Sequence, residues 1–291
     1  KRIEFFGVFS KCTGRRGCGP RSELESMMLR RSYLNTRKRL SSMFRIQKRR
    51  FAKPAERDTK ERKDIRLYLE SADRAEWANL LPLGIFHGIN TNPLLLQQAG
   101  ISHTAPTYPE LRELVRAAVD DYEVNEIFVQ AWGTTKEELV RTGLHARMFD
   151  RHVVVALPFT FEGTQAAAEL IERGASVCMA NSYAQKQALL ASALQADYFS
   201  PCISSINESG EDAIEQCMQM QKALSGVNSE IRIMAASLKS ADEVVELAKA
   251  GIKTFSVSPQ VAYELAYQPL TTKEADECER ITQGLMVESK Q

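Results

Sequence analysis

From Ile65 onward, short runs of β-branched and apolar residues alternate with segments of helical period, and no other feature constrains the fold as tightly. The runs are Ile65–Leu69, Gly84–Ile89, Glu126–Gln130, Val153–Leu157, Ser176–Ala180, Ala196–Pro201, Glu230–Ala235 and Lys253–Val257. Each has the length of a strand buried on both faces, and amphipathic helices fit between them. Ala241–Ala250 illustrates the connecting pattern, with Val244, Val245, Leu247 and Ala248 recurring at helical spacing. Strands that alternate with helices form parallel sheets, and eight of them close a barrel. The reading is an α/β chain, a (β/α)8 TIM barrel over residues 64–291. A last helix, about Lys273–Met286, lies beyond the eighth unit, and Gln97–Tyr108 is the least regular connector.

A chain of 291 residues with 44% hydrophobic content has the material for one such core. Its net charge of +1 conceals an asymmetry. Residues 27–53 hold ten Lys/Arg and no Asp or Glu, whereas residues 54–291 carry 22 basic and 34 acidic side chains. An acidic body is a poor nucleic-acid platform. No apolar run approaches the roughly 20 residues that span a membrane. Neither nucleic acid nor membrane is expected as a partner.

The basic stretch, from Met27-Met28-Leu29-Arg30-Arg31 to Arg49-Arg50-Phe51-Ala52, is Arg-rich and acid-free with apolar residues interspersed. That is the composition of a mitochondrial presequence. Arg49-Arg50-Phe51 before Ala52 looks like a matrix-protease cleavage site, so the mature protein is expected to begin near Ala52, in the mitochondrial matrix. A plastid transit peptide and a solvated basic tail are the alternatives. Residues 1–63 are read as a leader and targeting extension, mostly disordered.

Of the six cysteines, Cys12 and Cys18 lie in that leader. Cys178, Cys202, Cys217 and Cys278 are scattered without C-x-x-C spacing, which points to free thiols in a reducing compartment. His87, His103, His145 and His152 show no metal-ligand spacing. No metal and no cofactor are expected.

Chemistry in such barrels sits at the carboxyl ends of the strands. Those ends carry Glu70, Asn90 with Asn92, Gln130, Ala156, Ala180 with Asn181, Cys202, Ser237 and Ser256. Polar residues near loops also cap helices, and Asn92-Pro93 alone reads equally well as a turn. As a set, polar groups gathered at several strand ends point to a binding or catalytic mouth.

The stretch His152-Val153-Val154-Val155-Ala156-Leu157-Pro158-Phe159-Thr160-Phe161-Glu162-Gly163 resembles the fourth strand of the transaldolase and fructose-6-phosphate aldolase family. Other landmarks of that family follow in order: Leu67-Tyr68-Leu69-Glu70-Ser71-Ala72-Asp73, Gly88-Ile89-Asn90-Thr91-Asn92-Pro93, Phe128-Val129-Gln130, and Ala235-Ala236-Ser237-Leu238-Lys239. The resemblance spans roughly Ile65 to the C-terminus. It implies the barrel and an ancestry in sugar-phosphate metabolism, by way of a Schiff base on a fourth-strand lysine. That position is Ala156, which has no amine and can form neither carbinolamine nor imine.

Carried over residue by residue, the resemblance implies substrate and water contacts at Asn92 and Gln130, and phosphate contacts at Ser237 and Lys239. The other catalytic positions depart from the pattern. The family's first-strand aspartate is Glu70, one methylene longer. Its fifth-strand threonine falls at Ala180, the tyrosine of its small members at Cys202, and an arginine at Ser205. The expectation is a catalytically inactive sugar-phosphate-binding or structural protein, a homo-oligomer or a component of a larger assembly. The alternative is an active transaldolase or aldolase that uses a relocated lysine, Lys186 or Lys239, or non-covalent acid–base chemistry through Glu70.

Overall fold

The computed structural model describes residues 65–102 and 108–288. The expected targeting extension, the expected cleavage point near Ala52 and the centre of the Gln97–Tyr108 connector lie outside the described residues. Eight parallel strands follow one another around a closed barrel. They are β1 (Arg66–Glu70), β2 (Phe86–Asn90), β3 (Glu126–Gln130), β4 (Val153–Pro158), β5 (Ser176–Ser182), β6 (Tyr198–Pro201), β7 (Arg232–Ala235) and β8 (Thr254–Val257). The expected order is observed, and β3 has the expected bounds. Elsewhere the ends shift by one or two residues, most visibly where β5 runs on to Ser182.

Helices return the chain between strands. They are α1 (Arg74–Leu80), α2 (Pro93–Gln98), α3 (Pro109–Asp120), α4 (Lys136–Arg147), α5 (Phe161–Glu172), α6 (Gln185–Ala193), α7 (Ile203–Glu208), α8 (Ala213–Gly226), α9 (Ala241–Lys249) and α10 (Pro259–Ala266). Their starts are specified by short polar side chains. Asn92, Thr160, Ser240 and Ser258 each accept a hydrogen bond from the backbone N–H three residues on, which satisfies donors that the first turn leaves free. The last helix, α11 (Pro269–Glu288), is longer at both ends than expected, and every residue from Pro269 to Leu285 is exposed.

Alternation along the strands divides the core in two. Outward residues such as Leu69, Ile127, Val129, Val155, Leu157 and Phe199 pack against the helices. Inward residues Tyr68, Phe128, Val154, Ala156, Cys178, Tyr198 and Met234 fill the barrel itself. The filling requires Gly88. A Cβ there would lie 2.1 Å from the Glu126 carbonyl oxygen and 3.0 Å from Tyr68 Cε1, so the Tyr68 ring takes the space of an inward side chain on β2.

A polar cluster closes the amino-terminal end of the barrel. The buried Tyr68 and Tyr198 hydroxyls both donate to Glu126, the latter at 2.7 Å. Arg66 donates to Tyr198 at 2.5 Å and lies 3.8 Å from Glu126. Burial, reinforced by the Glu126 carboxylate, pushes both phenols well above their ordinary range. Burial and then Arg66 lower the pKa of His87, 3.7 Å from the same carboxylate. This cluster fills the barrel interior at this end, where Arg66, Glu126 and Tyr198 also line an outer cavity of about 630 Å³, and the carboxyl ends of the strands form the opposite mouth.

Candidate functional site at the carboxyl ends of the strands

The barrel register brings the strand-end residues to one level. Glu70 stands opposite Asn90, Gln130 opposite Ala156, and Ala156 opposite Cys178. Together they enclose a cavity of about 80 Å³ at the mouth. Glu70, Asn92, Gln130, Ala156, Ala180, Cys202 and Ser237 all line it. Lys239 does not. The cavity is small beside the roughly 300–1,000 Å³ of ordinary ligand pockets, so it suits the reacting end of a ligand whose remainder lies outside.

On one side, Glu70 is held by two neighbours. Ser256, fully buried on β8, donates to a Glu70 carboxylate oxygen at 3.2 Å and accepts from Asn90 Nδ2 at 2.8 Å. The Ser237 backbone N–H donates to the same carboxyl. Burial nevertheless dominates and raises the Glu70 pKa, with the Ser256 and Ser237 hydrogen bonds opposing it. The carboxyl therefore retains its proton to higher pH than an exposed glutamate.

On the other side, Cys202 lies just past β6, with its Sγ 3.1 Å from Ser205 Oγ and 3.8 Å from Ser204 Oγ. Burial works against the thiolate. Hydrogen bonds with Ser205, the Ser237 hydroxyl and Ser204 outweigh it, and the Cys202 pKa falls below the ordinary thiol range. Ser237 thus touches both ionisable groups, one through its backbone and one through its side chain. It does so with φ of 59°, and Asn181, also on the cavity wall, has φ of 53°. Left-handed backbone at two non-glycine residues costs on the order of 1–3 kcal/mol each. In this barrel both lie on the wall of the mouth.

The amides differ in what they have free. Asn92 uses its side-chain oxygen to cap α2 through Leu95 N–H at 2.9 Å, leaving Nδ2 for the cavity. The Gln130 side chain lines the cavity with no hydrogen bond to the described residues, so both ends of its amide are available. Ala156 and Ala180 contribute apolar wall.

The candidate lysines lie elsewhere. Lys186 is exposed on the first turn of α6. Lys239 projects outward with a 64% exposed side chain, and its Nζ pairs with Glu208 at 3.1 Å. Among the described residues, no lysine or arginine lines the cavity. No group of three or more His, Cys, Asp or Glu capable of holding a metal occurs among them either. Sequence reasoning did not single out Cys178 or Ser200 as wall, nor the cluster of Arg66, Tyr68, Glu126 and Tyr198. The alternation Arg66-Tyr68-Glu70 on one strand face was the available signal for the cluster.

A parallel eight-stranded barrel with its polar cavity at the strand ends defines a protein of the (β/α)8-barrel class. The family is identified by comparison. The Transaldolase/Fructose-6-phosphate aldolase family matches residues 58–290, and the chain belongs to that family. Similar proteins include a "Probable transaldolase" of Anaeromyxobacter dehalogenans, 27% identical over 207 residues, covering 71% of this chain and 91% of that protein. Another, from Caulobacter sp. (strain K31), is 28% identical over 209 residues, covering 72% and 92%. A solved thiamine phosphate pyrophosphorylase from Pyrococcus furiosus is similar at a TM-score of 0.48 and 17% identity, covering 69% and 94%. A likeness at that level carries no argument about function.

Proposed function

We propose that this chain has left Schiff-base aldol transfer and functions as a binding protein for a small sugar-derived ligand, held at the mouth of a transaldolase-family barrel. One observation carries the reading: the mouth has Ala156 on β4, and among the described residues no other lysine replaces it in the wall. A Schiff base needs an amine within reach of the carbonyl, with a pKa lowered by burial or by a neighbouring cation. Lys186 and Lys239 are solvated, and Lys239 is paired with a carboxylate. Ligand contacts are proposed at Asn92, Gln130 and Ser237, with Lys239 on the outer rim for the phosphate of a longer ligand.

Borohydride reduction in the presence of fructose 6-phosphate, followed by peptide mass spectrometry, tests this directly. No lysine should carry a sugar adduct. A stable adduct on Lys186 or Lys239 would establish the relocated-lysine enzyme instead. The exposed apolar residues Leu270, Ile281 and Leu285 of α11 support self-association as part of the same proposal. The acid-free basic composition of residues 27–53 supports a mitochondrial location.

A further inference from the structure

We infer that Cys202 and Glu70 form a nucleophile–acid pair that captures a small aldehyde as a reversible thiohemiacetal. The inference deepens the binding role proposed above and rests on it. Three observations converge on the same cavity. A thiol, a carboxyl and an amide with no hydrogen bond to the described residues (Cys202, Glu70 and Gln130) all face a space of about 80 Å³. That space holds a few heavy atoms, enough for the terminal –CHO and adjoining hydroxymethine of a short sugar. Ser237 lines the same cavity and acts on both reacting groups, its backbone on Glu70 and its side chain on Cys202.

The ionisation states suit the step. Against the opposing effect of burial, serine hydroxyls lower the pKa of the Cys202 thiol, while burial raises that of the Glu70 carboxyl. Thiolates are nucleophiles at neutral pH only where their surroundings stabilise them. Cys217, by contrast, is enclosed by apolar packing, which pushes its thiol up to about 12. Cys178, the other cysteine in the cavity wall, is likewise shifted upward by burial.

The bookkeeping of atoms is simple. The Cys202 thiolate attacks the aldehyde carbon and an S–C bond forms. The carbonyl π pair moves to oxygen, which takes the proton from Glu70. The products are a neutral thiohemiacetal and a Glu70 carboxylate, which the Ser256 hydroxyl and the Ser237 N–H are placed to receive. No oxidant or second substrate is consumed, and the reverse step releases the aldehyde. This site favours the aldehyde, because thiols add more readily to the less hindered carbonyl carbon.

The experiment is the alkylation of the full chain by iodoacetamide, followed cysteine by cysteine with peptide mass spectrometry. It is run with D-glyceraldehyde, with glycerol as a carbonyl-free control, and without additive. Cys202 should react faster than Cys217 at neutral pH, and glyceraldehyde should protect it. The exposed Cys278 reports any general thiol–aldehyde equilibrium in the same sample. Carbon-13 NMR with C1-labelled glyceraldehyde should show a thiohemiacetal resonance that Cys202→Ser abolishes while the thermal melt is retained. Glu70→Gln should slow the onset of protection by about 10²-fold, with little effect on its final extent, since a general acid changes the rate alone. Protection of Cys202 no greater than that of Cys278, or equal protection by glycerol, overturns the inference. Binding of sorbitol 6-phosphate by calorimetry separates the two levels. If it binds and no adduct forms, only the thiohemiacetal fails; if neither it nor the aldehyde binds, the binding role itself fails.

Discussion

The hydroxyl of Ser256 lies 3.2 Å from a carboxylate oxygen of Glu70, joining the eighth strand to the first across 186 positions of sequence. The contact closes the barrel at the level of its mouth. It also ties the charge state of Glu70 to the integrity of the seam, because Ser256 is fully buried and its other partner is Asn90. A carboxyl in this position is sheltered from water and offered only partial compensation.

Glu70→Gln should therefore change stability in a pH-dependent way. The folded-state pKa of Glu70 is raised, so the native protein binds this proton more tightly than the unfolded chain does. Ionising the carboxyl costs native-state stability as pH rises through the folded pKa, and the cost vanishes below the unfolded value. The amide is a close mimic of the protonated acid. Urea unfolding should show wild type and variant nearly equal at about pH 4, with the variant gaining relative stability by about pH 8. A variant that loses stability relative to wild type on raising the pH would contradict the assignment.

At the amino-terminal end of the barrel, Glu126→Ala should be strongly destabilising. It removes the acceptor for both buried phenols and leaves the partly buried Arg66 without its carboxylate. Removing one partner of a buried charged pair costs about 3–5 kcal/mol, and partial exposure places this case near the lower figure. Tyr68→Phe removes one hydrogen bond to a charged acceptor and should cost about 1.5–3 kcal/mol. The double variant should cost less than the sum, as coupled neighbours do. Additive losses in thermal or chemical melts would mean that the two residues do not act through one network.

Lys239→Ala separates binding from stability. The ion pair with Glu208 is exposed on both sides, and such pairs contribute about 0–1 kcal/mol. The melt should hardly move. If the rim lysine turns toward the phosphate of a bound ligand, affinity for a sugar phosphate should fall by roughly 10–150-fold, equivalent to about 1.5–3 kcal/mol. Calorimetry with and without the substitution decides this, and unchanged affinity would remove Lys239 from the ligand site.

Much of this architecture was legible in the chain because it depends on repeated local signals. Val153–Val155, ending at Pro158, announces a buried strand, and Thr160 places the start of α5. The positions of Glu70, Gln130, Ala156 and Ser237 at the mouth followed once each strand was aligned with its neighbours. What escaped the sequence was contact between distant elements. Nothing local indicates that Ser256 would meet Glu70, or that Ser237 would bend into a left-handed conformation to touch both Glu70 and Cys202. Lys239 sits two residues from Ser237, and that proximity in sequence suggested a shared anion site. The turn into α9 instead sends the side chain outward to Glu208. Likewise, α11 extends from Pro269 because Pro is accepted in the first turn of a helix.

Ala156→Lys places an amine in the mouth without changing the side chains around it. Ala156 is 6% exposed on β4 and faces the cavity, so a lysine there would project into the space between Cys178, Gln130 and the mouth. Imine formation requires proton transfers to and from the carbinolamine, by groups placed to within fractions of an ångström. The acid on the cavity wall is Glu70, already engaged by Ser256 and Ser237. Ala180 contributes no hydroxyl to the wall, and Cys202 contributes a thiol. Loss of general acid–base help alone is worth about 10²–10⁴ in rate. The variant should form at most a slow borohydride-trappable adduct on the introduced amine and show no measurable aldol transfer in a coupled assay. Ready aldol transfer by the variant would show that an amine at position 156 is sufficient, and that the rest of the mouth is catalytically competent.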